Sequence, residues 1–402
     1  MRDGNRFTIG DAAELAGDVG PDQRLLGVLA ELDGPLDLDA LRALVGERAR
    51  RLPVLARRLV RYGRGLRAVR WEPVHIEPGR HVQERVTDDP AAAAIALLVD
   101  GLPESVPLWR LLLLRSPGAT HLLFVAHHVL LDGAGAVATV AALLGAGDAQ
   151  PPTAGVPGSR WPAPVGTLAA CSRGSSATSL LTPLTSGFRL ASVEADLEPL
   201  RDAAHRAGAT LNDVLLMAVA EALRRVAAGR GERLRRVVVS VPVGRPADAG
   251  RNRVGVLLIP VPERRQVESD QDFLSRLASR TRRRKRLARS SSGAPVVTSA
   301  LLAGIGRLGW YRPLFERQRA ITTLLTNLRG PADPLVVLGV RVRSLTPISP
   351  ALGNVTVVFA AVSHAGRLRV TARLDRSAWD DQEVLTEALR SALTRLATSE
   401  RT

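Results

Sequence analysis

His127-His128-Val129-Leu130-Leu131-Asp132-Gly133 places two adjacent imidazoles, a carboxylate and a glycine on one short connection. Its flanks say what kind of connection it is. Upstream, His121-Leu122-Leu123-Phe124-Val125-Ala126 is a short apolar run of the kind that forms a buried strand, and downstream Gly135 to Leu144 has the Ala, Leu and Val content of a helix. The stretch therefore belongs where a strand ends and a helix begins. Imidazole is the side chain whose unperturbed pKa lies nearest neutrality, so a histidine at the end of a rigid strand can take a proton from an alcohol or amine as it attacks. The competing reading is a hydrogen-bonded structural histidine beside an apolar strand.

A hairpin feeds that strand. Pro107-Leu108-Trp109-Arg110-Leu111-Leu112-Leu113-Leu114 leads through a Ser116-Pro117-Gly118 turn into the run before the histidines, which predicts an antiparallel pair delivering His128. Earlier, Pro35-Leu36-Asp37 introduces an amphipathic helix over Leu38 to Arg51 with Asp37 as its N-cap, and a strand-like run spans Leu66 to Val74. From Gly145 to Thr178 the composition shifts to Pro, Gly, Ser, Ala and Thr without apolar periodicity, which reads as a crossover between domains. The second half predicts a strand at Phe188 to Val193, helices at Leu197 to Ala207 and Leu211 to Arg230, and strands at Arg236 to Val243 and Val254 to Val261. A basic helix follows from Phe273 to Arg289, then strands at Ile321 to Leu325, Leu335 to Leu345, Asn354 to His364 and Leu368 to Leu374, and a closing helix from Asp381 to Ala397. Strands alternating with helices, with hairpins in each half, imply an α/β (α+β) chain of two mixed sheets with helices packed on them. The divisions expected are an N-terminal subdomain over 1–145, a crossover over 146–180 and a C-terminal subdomain over 181–402.

The chain has 402 residues, 46% of them hydrophobic, enough for a large core. One cysteine, Cys171, excludes an internal disulfide and a thiolate metal cluster. His75, His81, His121, His205 and His364 lack ligand spacing, so no metal is expected. Met1 to Asp11 is largely polar and no apolar run reaches the roughly 20 residues that cross a bilayer, so a soluble cytoplasmic protein, or one peripheral to a membrane, is expected. The net charge of +16 raises the question of a polyanionic partner. Lys285 is the only lysine, and an Arg, Ala, Gly and Val bias of this kind reflects base composition as much as binding. Aromatics make up 3% of the chain, too few for base-stacking platforms, so nucleic acid is not expected as a partner.

The pattern His-His-x-x-x-Asp-Gly resembles the signature of the CoA-dependent acyltransferase superfamily, which includes chloramphenicol acetyltransferase, peptide-synthetase condensation domains and wax ester synthase/diacylglycerol acyltransferases. Other segments fall in the order of that last branch: Pro107-Leu108-Trp109, Thr210-Leu211-Asn212-Asp213-Val214-Leu215-Leu216, Gly250-Arg251-Asn252-Arg253-Val254 and Thr326-Asn327-Leu328-Arg329-Gly330-Pro331. The resemblance runs from about Pro35 to Asp375. The late segment departs from the branch's usual Ser-Asn-Val-Pro-Gly-Pro, and the chain is shorter than typical members, differences that bear on the substrate more than on the fold. The resemblance implies two chloramphenicol-acetyltransferase-like subdomains forming a pseudo-dimer around a central tunnel, and a monomer, because the interface that builds the site is internal.

It also implies roles. His128 would be the general base that deprotonates the acceptor during direct attack on a thioester, with no acyl-enzyme; no Gly-x-Ser-x-Gly elbow is present. His127 reads as orienting or structural, and Asp132 either polarises His128 or holds the turn through backbone N–H groups or a distant arginine. Gly133 is expected to need a positive φ or close backbone approach. Asn212 reads equally as a helix-start residue or as a donor to substrate, and Asn327 as a border of the donor channel or a plain turn asparagine. Asp213 reads as structural. Arg282, Arg283, Arg284 and Lys285 read either as a solvated helix face or as contacts to CoA phosphates, an acidic carrier protein or an anionic lipid surface.

The expected activity is transfer of an acyl group to a hydroxyl of a fatty alcohol, a diacylglycerol or a natural-product alcohol, with no bound cofactor and acyl-CoA as co-substrate. A carrier-protein thioester is the other donor. The alternatives are a condensation-like enzyme forming amides or esters from carrier-bound acyl groups, told apart by offering amine and alcohol acceptors, and a silent lipid or metabolite binder, whose mark would be loss of His128 or Asp132.

Overall fold

The computed structural model describes residues 7, 11, 14, 15, 18, 21–63, 68–145, 174–243, 255–290 and 311–398. Over these the order is β1 (Leu25–Leu32), α1 (Leu38–Ala49), β2 (Arg57–Arg61), β3 (Val69–Pro73), α2 (Pro78–His81), β4 (Val82–Val86), α3 (Pro90–Asp100), β5 (Trp109–Ser116), β6 (Ala119–His127) and α4 (Gly133–Leu144). There follow β7 (Phe188–Asp196), α5 (Leu197–Arg206), α6 (Leu211–Gly229), β8 (Val237–Val243), β9 (Gly255–Val261), α7 (Asp270–Ser290), α8 (Tyr311–Glu316), β10 (Thr323–Arg329), β11 (Val336–Val337), β12 (Val340–Ile348), β13 (Val357–His364), β14 (Arg367–Asp375) and α9 (Gln382–Thr398). The Gly250–Val254 segment and residues 146–173 of the expected crossover, with Cys171, lie outside the described residues.

The chain divides into two units. In the first, the sheet order is β11-β12-β1-β6-β5-β4. The expected hairpin is there: β5 pairs antiparallel with β6 from Trp109↔Ala126 to Ser116↔Ala119. β1, which the sequence reading passed over, lies beside β6 and pairs with it from Leu25↔His127 to Leu32↔Thr120. Leu111, Leu113, Leu123 and Val125 are fully buried, each removal of such a side chain from water contributing about 1.5–3 kcal/mol. Trp109 anchors this core: its Nε1–H donates to the Leu55 carbonyl at 3.0 Å, and the His81 ring stacks on it with centroids 4.2 Å apart. Asp37 caps α1 as expected, accepting the Ala40 N–H at 2.7 Å.

The second unit holds the sheet β7-β14-β13-β10-β8-β9. α6, a run of Val, Leu, Met and Ala, is buried along most of its length and packs with α9. Trp379 is fully buried, its Nε1–H on Thr356 Oγ1 at 3.0 Å. Arg230 lies 4.8 Å over that ring and forks onto the Asp381 carboxylate at 2.8 and 2.6 Å.

Two expectations are corrected here. The run Leu335 to Leu345 is not one strand: it folds back at Leu338 and Gly339, whose φ values of 48° and 82° make a two-residue hairpin between Val337 and Val340. Two consecutive positive φ values are what such a turn requires, and glycine supplies one of them without strain. The C-terminal subdomain is also not continuous over 181–402, because β12 pairs antiparallel with β1, from Gly27↔Ile348 to Leu32↔Val342, which puts Leu328–Pro350 in the first unit.

Candidate functional site

The backbone fixes both histidines. His127 is the last rung of β6, opposite Leu25, and its N–H donates to the Leu108 carbonyl at 3.0 Å. The next N–H, that of His128, donates to the Arg24 carbonyl at 2.9 Å. His127 closes the strand and His128 opens the turn that follows, and the two rings meet different carboxylates. The ring of His127 is buried, and the Val129 N–H donates to its Nδ1 at 3.1 Å. Nδ1 is therefore an acceptor, Nε2 carries the proton, and Nε2–H faces Asp18 Oδ2 at 3.1 Å. Asp18 in turn accepts the Arg24 N–H on Oδ1 at 2.8 Å. Both nitrogens of His127 are thus occupied.

The side chain of His128 is 23% exposed, and its Nδ1 lies 3.1 Å from Glu14 Oε2. No aligned hydrogen bond forms at Nδ1, so the contact is electrostatic. The same oxygen accepts Arg24 Nη1 at 2.5 Å. Burial of Glu14 pushes its carboxyl pKa up, but the Arg24 guanidinium and the His128 ring pull it down harder and leave it well below the usual carboxylate range. Among the described residues none bonds Nε2 of His128, which leaves that nitrogen available as a base.

After His128 the chain turns on the His127 carbonyl, which accepts from Leu130 and Leu131 at 2.8 and 3.2 Å. Asp132 then caps α4, its backbone extended at φ −83° and its Oδ1 taking the Gly135 N–H at 2.7 Å. Among the described residues Asp132 has no ion pair and no hydrogen bond to His128. Of the positive φ or close backbone approach expected of Gly133, the positive φ is not found, Gly133 being the first helical residue; two residues on, at Gly135, a Cβ would stand 3.2 Å from Asp132 Oδ1.

In the second unit, Asn212 and Asn327 come together, Asn327 Nδ2 donating to Asn212 Oδ1 at 2.8 Å. This spends the acceptor of Asn212 and leaves its Nδ2 donors available. Asn327 is not a turn residue; it lies in β10, which runs parallel to β8. Asp213 is buried in the first turn of α6, where its Oδ2 accepts the N–H and hydroxyl of Thr210 at 2.9 and 2.7 Å.

The basic run is not one patch. Consecutive residues of a helix step by about 100° around its axis, so four in a row cannot share a face. Arg282 donates to the Gly208 carbonyl at 2.5 Å and Arg284, half-buried, to the Leu258 carbonyl at 3.0 Å, while Arg283 is exposed and Lys285 partly so.

The sequence reading missed Glu14, Asp18 and Arg24. A signal existed: Asp11, Glu14 and Asp18 follow the i, i+3, i+7 spacing of one helix face. Asp11 accepts from the Trp71 indole at 3.2 Å, so all three carboxylates turn inward. Among the described residues no His, Cys, Asp and Glu group suits a metal ion.

Residues 251–397 match the WS/DGAT C-terminal domain family. The chain is 29% identical over 230 residues to the probable diacylglycerol O-acyltransferase tgs1 of Mycobacterium tuberculosis, a match covering 55% of this chain and 49% of that protein. It thus spans about half the length of the curated relatives it matches. Among solved structures, the wax ester synthase/diacylglycerol acyltransferase of Marinobacter aquaeolei VT8 is similar with a TM-score of 0.64 at 18% identity, over 94% of this chain and 95% of that one. The starter condensation domain of rhizomide synthetase, in complex with C8-CoA and Leu-SNAC, is similar with a TM-score of 0.62 at 15% identity, over 96% and 92%. At such identities these likenesses establish the fold, the mixed α/β architecture shared by both groups. The chain is thus similar to the WS/DGAT C-terminal domain family over residues 251–397, and over most of its length it shares the fold of wax ester synthase/diacylglycerol acyltransferases and condensation domains.

Proposed function

We propose that the protein is an O-acyltransferase that moves an acyl group from acyl-CoA to a hydroxyl acceptor, with Nε2 of His128 as general base. The observation that carries this reading is the asymmetry of the histidine pair: His127 has both ring nitrogens engaged in a buried setting, whereas the ring of His128 is partly exposed with Nε2 unengaged among the described residues. Nε2 accepts the hydroxyl proton as the oxygen attacks the thioester carbonyl carbon. The tetrahedral intermediate collapses, the C–S bond breaks, and the imidazolium returns the proton to the thiolate, giving ester and free CoA. The family match and the names of the relatives, a diacylglycerol O-acyltransferase among them, support this substrate class. The Nδ2 donor of Asn212 is suited to a polar group of the substrate, and exposed Arg283 with half-buried Lys285 to the phosphates of the donor. Within the described residues no helix is long and apolar enough to cross a membrane.

The comparable likeness to a condensation domain favours one second reading, amide formation at the same base. Both are tested by thiol release from palmitoyl-CoA with hexadecanol, dioleoylglycerol or hexadecylamine, on wild type and His128→Ala, with mass spectrometry of the product. Alcohol-dependent release that is lost in the variant supports the ester reading, amine-dependent release the second, and full activity of folded His128→Ala would remove His128 from the mechanism.

A further inference from the structure

We infer that Glu14 is the positioning residue of His128, a carboxylate from the N-terminal segment that holds the proton on Nδ1 and so keeps Nε2 free to act as base. The inference rests on the reading of His128 as that base and adds a residue outside the seven-residue stretch that drew attention to it.

The physical case starts from what a carboxylate can do. An ionised carboxylate only accepts, so the imidazole nitrogen that faces it is the one that bears hydrogen. Glu14 Oε2 is 3.1 Å from Nδ1 of His128, and the rotation needed to align that N–H is that of one side chain. The carboxylate cannot wander: its side chain is 6% exposed and the same oxygen is held by Arg24 Nη1 at 2.5 Å. Arg24 is itself tied to the site, its carbonyl accepting from the His128 N–H at 2.9 Å and its own N–H donating to Asp18 at 2.8 Å. Backbone and side chain of His128 are therefore both referred to residue 24, one directly and one through Glu14. As the acceptor's proton arrives on Nε2, the ring becomes a cation whose charge faces Glu14, and a fixed negative charge at that place favours the step without reorganisation. Asp132, the carboxylate that sequence spacing offers for this task, is committed to capping α4.

The first test needs no variant. The 15N and 1H shifts of the His128 ring in the neutral form report which nitrogen carries hydrogen; Nδ1–H is expected, and Nε2–H in the wild-type protein overturns the inference. The second uses Glu14→Gln, Glu14→Asp, the double variant Glu14→Leu/Arg24→Met, and His128→Ala, with palmitoyl-CoA and hexadecanol as the probe pair. Loss of one charge-assisted contact to the ring predicts a fall in kcat of about ten- to a hundredfold in Glu14→Gln with KM changed less than about twofold. Glu14→Asp should recover part of it. If Glu14 served only to neutralise Arg24, the double variant would regain wild-type kcat, and the inference would be wrong; it is expected to stay low and to lose the Nδ1–H preference. Loss of activity in His128→Ala alongside unimpaired Glu14→Gln refutes the role of Glu14 and leaves the base in place, whereas full activity in both refutes the base as well.

Discussion

Replacing Asp132 separates a turn-holding carboxylate from a catalytic one, because its two substitutions remove different things. Asp132→Asn keeps an oxygen that can accept the Gly135 N–H, now at 2.7 Å, and removes only the charge at the start of α4. A negative charge at a helix N-terminus contributes about 0.3–1 kcal/mol, so the asparagine variant should lose no more than that. Asp132→Ala removes the cap as well, which costs about 1 kcal/mol more. The total for alanine is then about 1–2 kcal/mol, read as a shift in the urea midpoint at unchanged m value. The effect on catalysis has a ceiling: if the whole cap energy went into aiming His128, kcat would fall about tenfold, since about 1.4 kcal/mol corresponds to one decade. Less than that should reach the ring, because Leu130 and Leu131 anchor the turn separately on the His127 carbonyl. Activity of Asp132→Asn within about threefold of wild type is therefore expected by this scale. A purified, folded Asp132→Asn as inactive as His128→Ala would refute the reasoning, since it would make the charge itself part of the chemistry.

Gly353 has a φ of 64°, and a Cβ there would lie 2.3 Å from the Phe315 carbonyl oxygen, so Gly353→Ala should destabilise the second unit by at least about 2 kcal/mol in urea unfolding; an unchanged midpoint would contradict the geometry. Asn327→Asp sets carboxylate against the Asn212 carbonyl oxygen and should cost about 1–3 kcal/mol, whereas Asn212→Asp keeps the acceptor and should leave stability near wild type. If the Nδ2 donor of Asn212 meets developing charge on the substrate, Asn212→Asp should nevertheless lose about a hundredfold in kcat, measured beside its melting curve. Glu268 forks onto Arg276, which lowers its carboxyl pKa from an ordinary 4.5 to about 2. A depressed carboxylate adds stability that is full above pH 4.5 and is lost as pH falls toward 2, so Glu268→Gln should be less stable than wild type at pH 7, with the gap narrowing from pH 4.5 down to about pH 2 in parallel urea titrations.

What the sequence disclosed and what it hid divide along a physical line. The hairpin of β5 and β6, the cap at Asp37 and the helix beginning after Asp132 follow from local chemistry, each signalled within a few residues. β1 was hidden because Leu25–Leu32 is apolar almost throughout, buried on both faces, and so shows no alternation to mark it as a strand. The partnership of β1 with β12 joins residues more than 300 apart, a distance over which no periodicity speaks. The same holds at the site. The stretch from His127 to Gly133 was legible as a strand-to-helix turn, but the groups that meet the two rings, Asp18 and Glu14, come from a polar N-terminal segment whose helical spacing acquires meaning only once β1 is seen to run beside β6.

The Glu14 and Arg24 pair gives this last point an energetic edge. Their side chains are 6% and 16% exposed, so both charges are largely withdrawn from water. Taking an ion pair out of water costs several kcal/mol per ion, and its mutual attraction seldom returns a surplus over apolar side chains of the same size. A protein shaped for stability alone would do as well with leucine and methionine at these places. The double variant Glu14→Leu/Arg24→Met is therefore expected to unfold at higher urea, by about 1–4 kcal/mol, while turning over more slowly. A rise in stability with a fall in kcat is the signature of a group kept for chemistry, as active sites commonly trade the one for the other. A double variant that is less stable than wild type would instead make the pair a structural element of the N-terminal segment, and the slower turnover would then follow from a displaced His128 without any electrostatic part for Glu14.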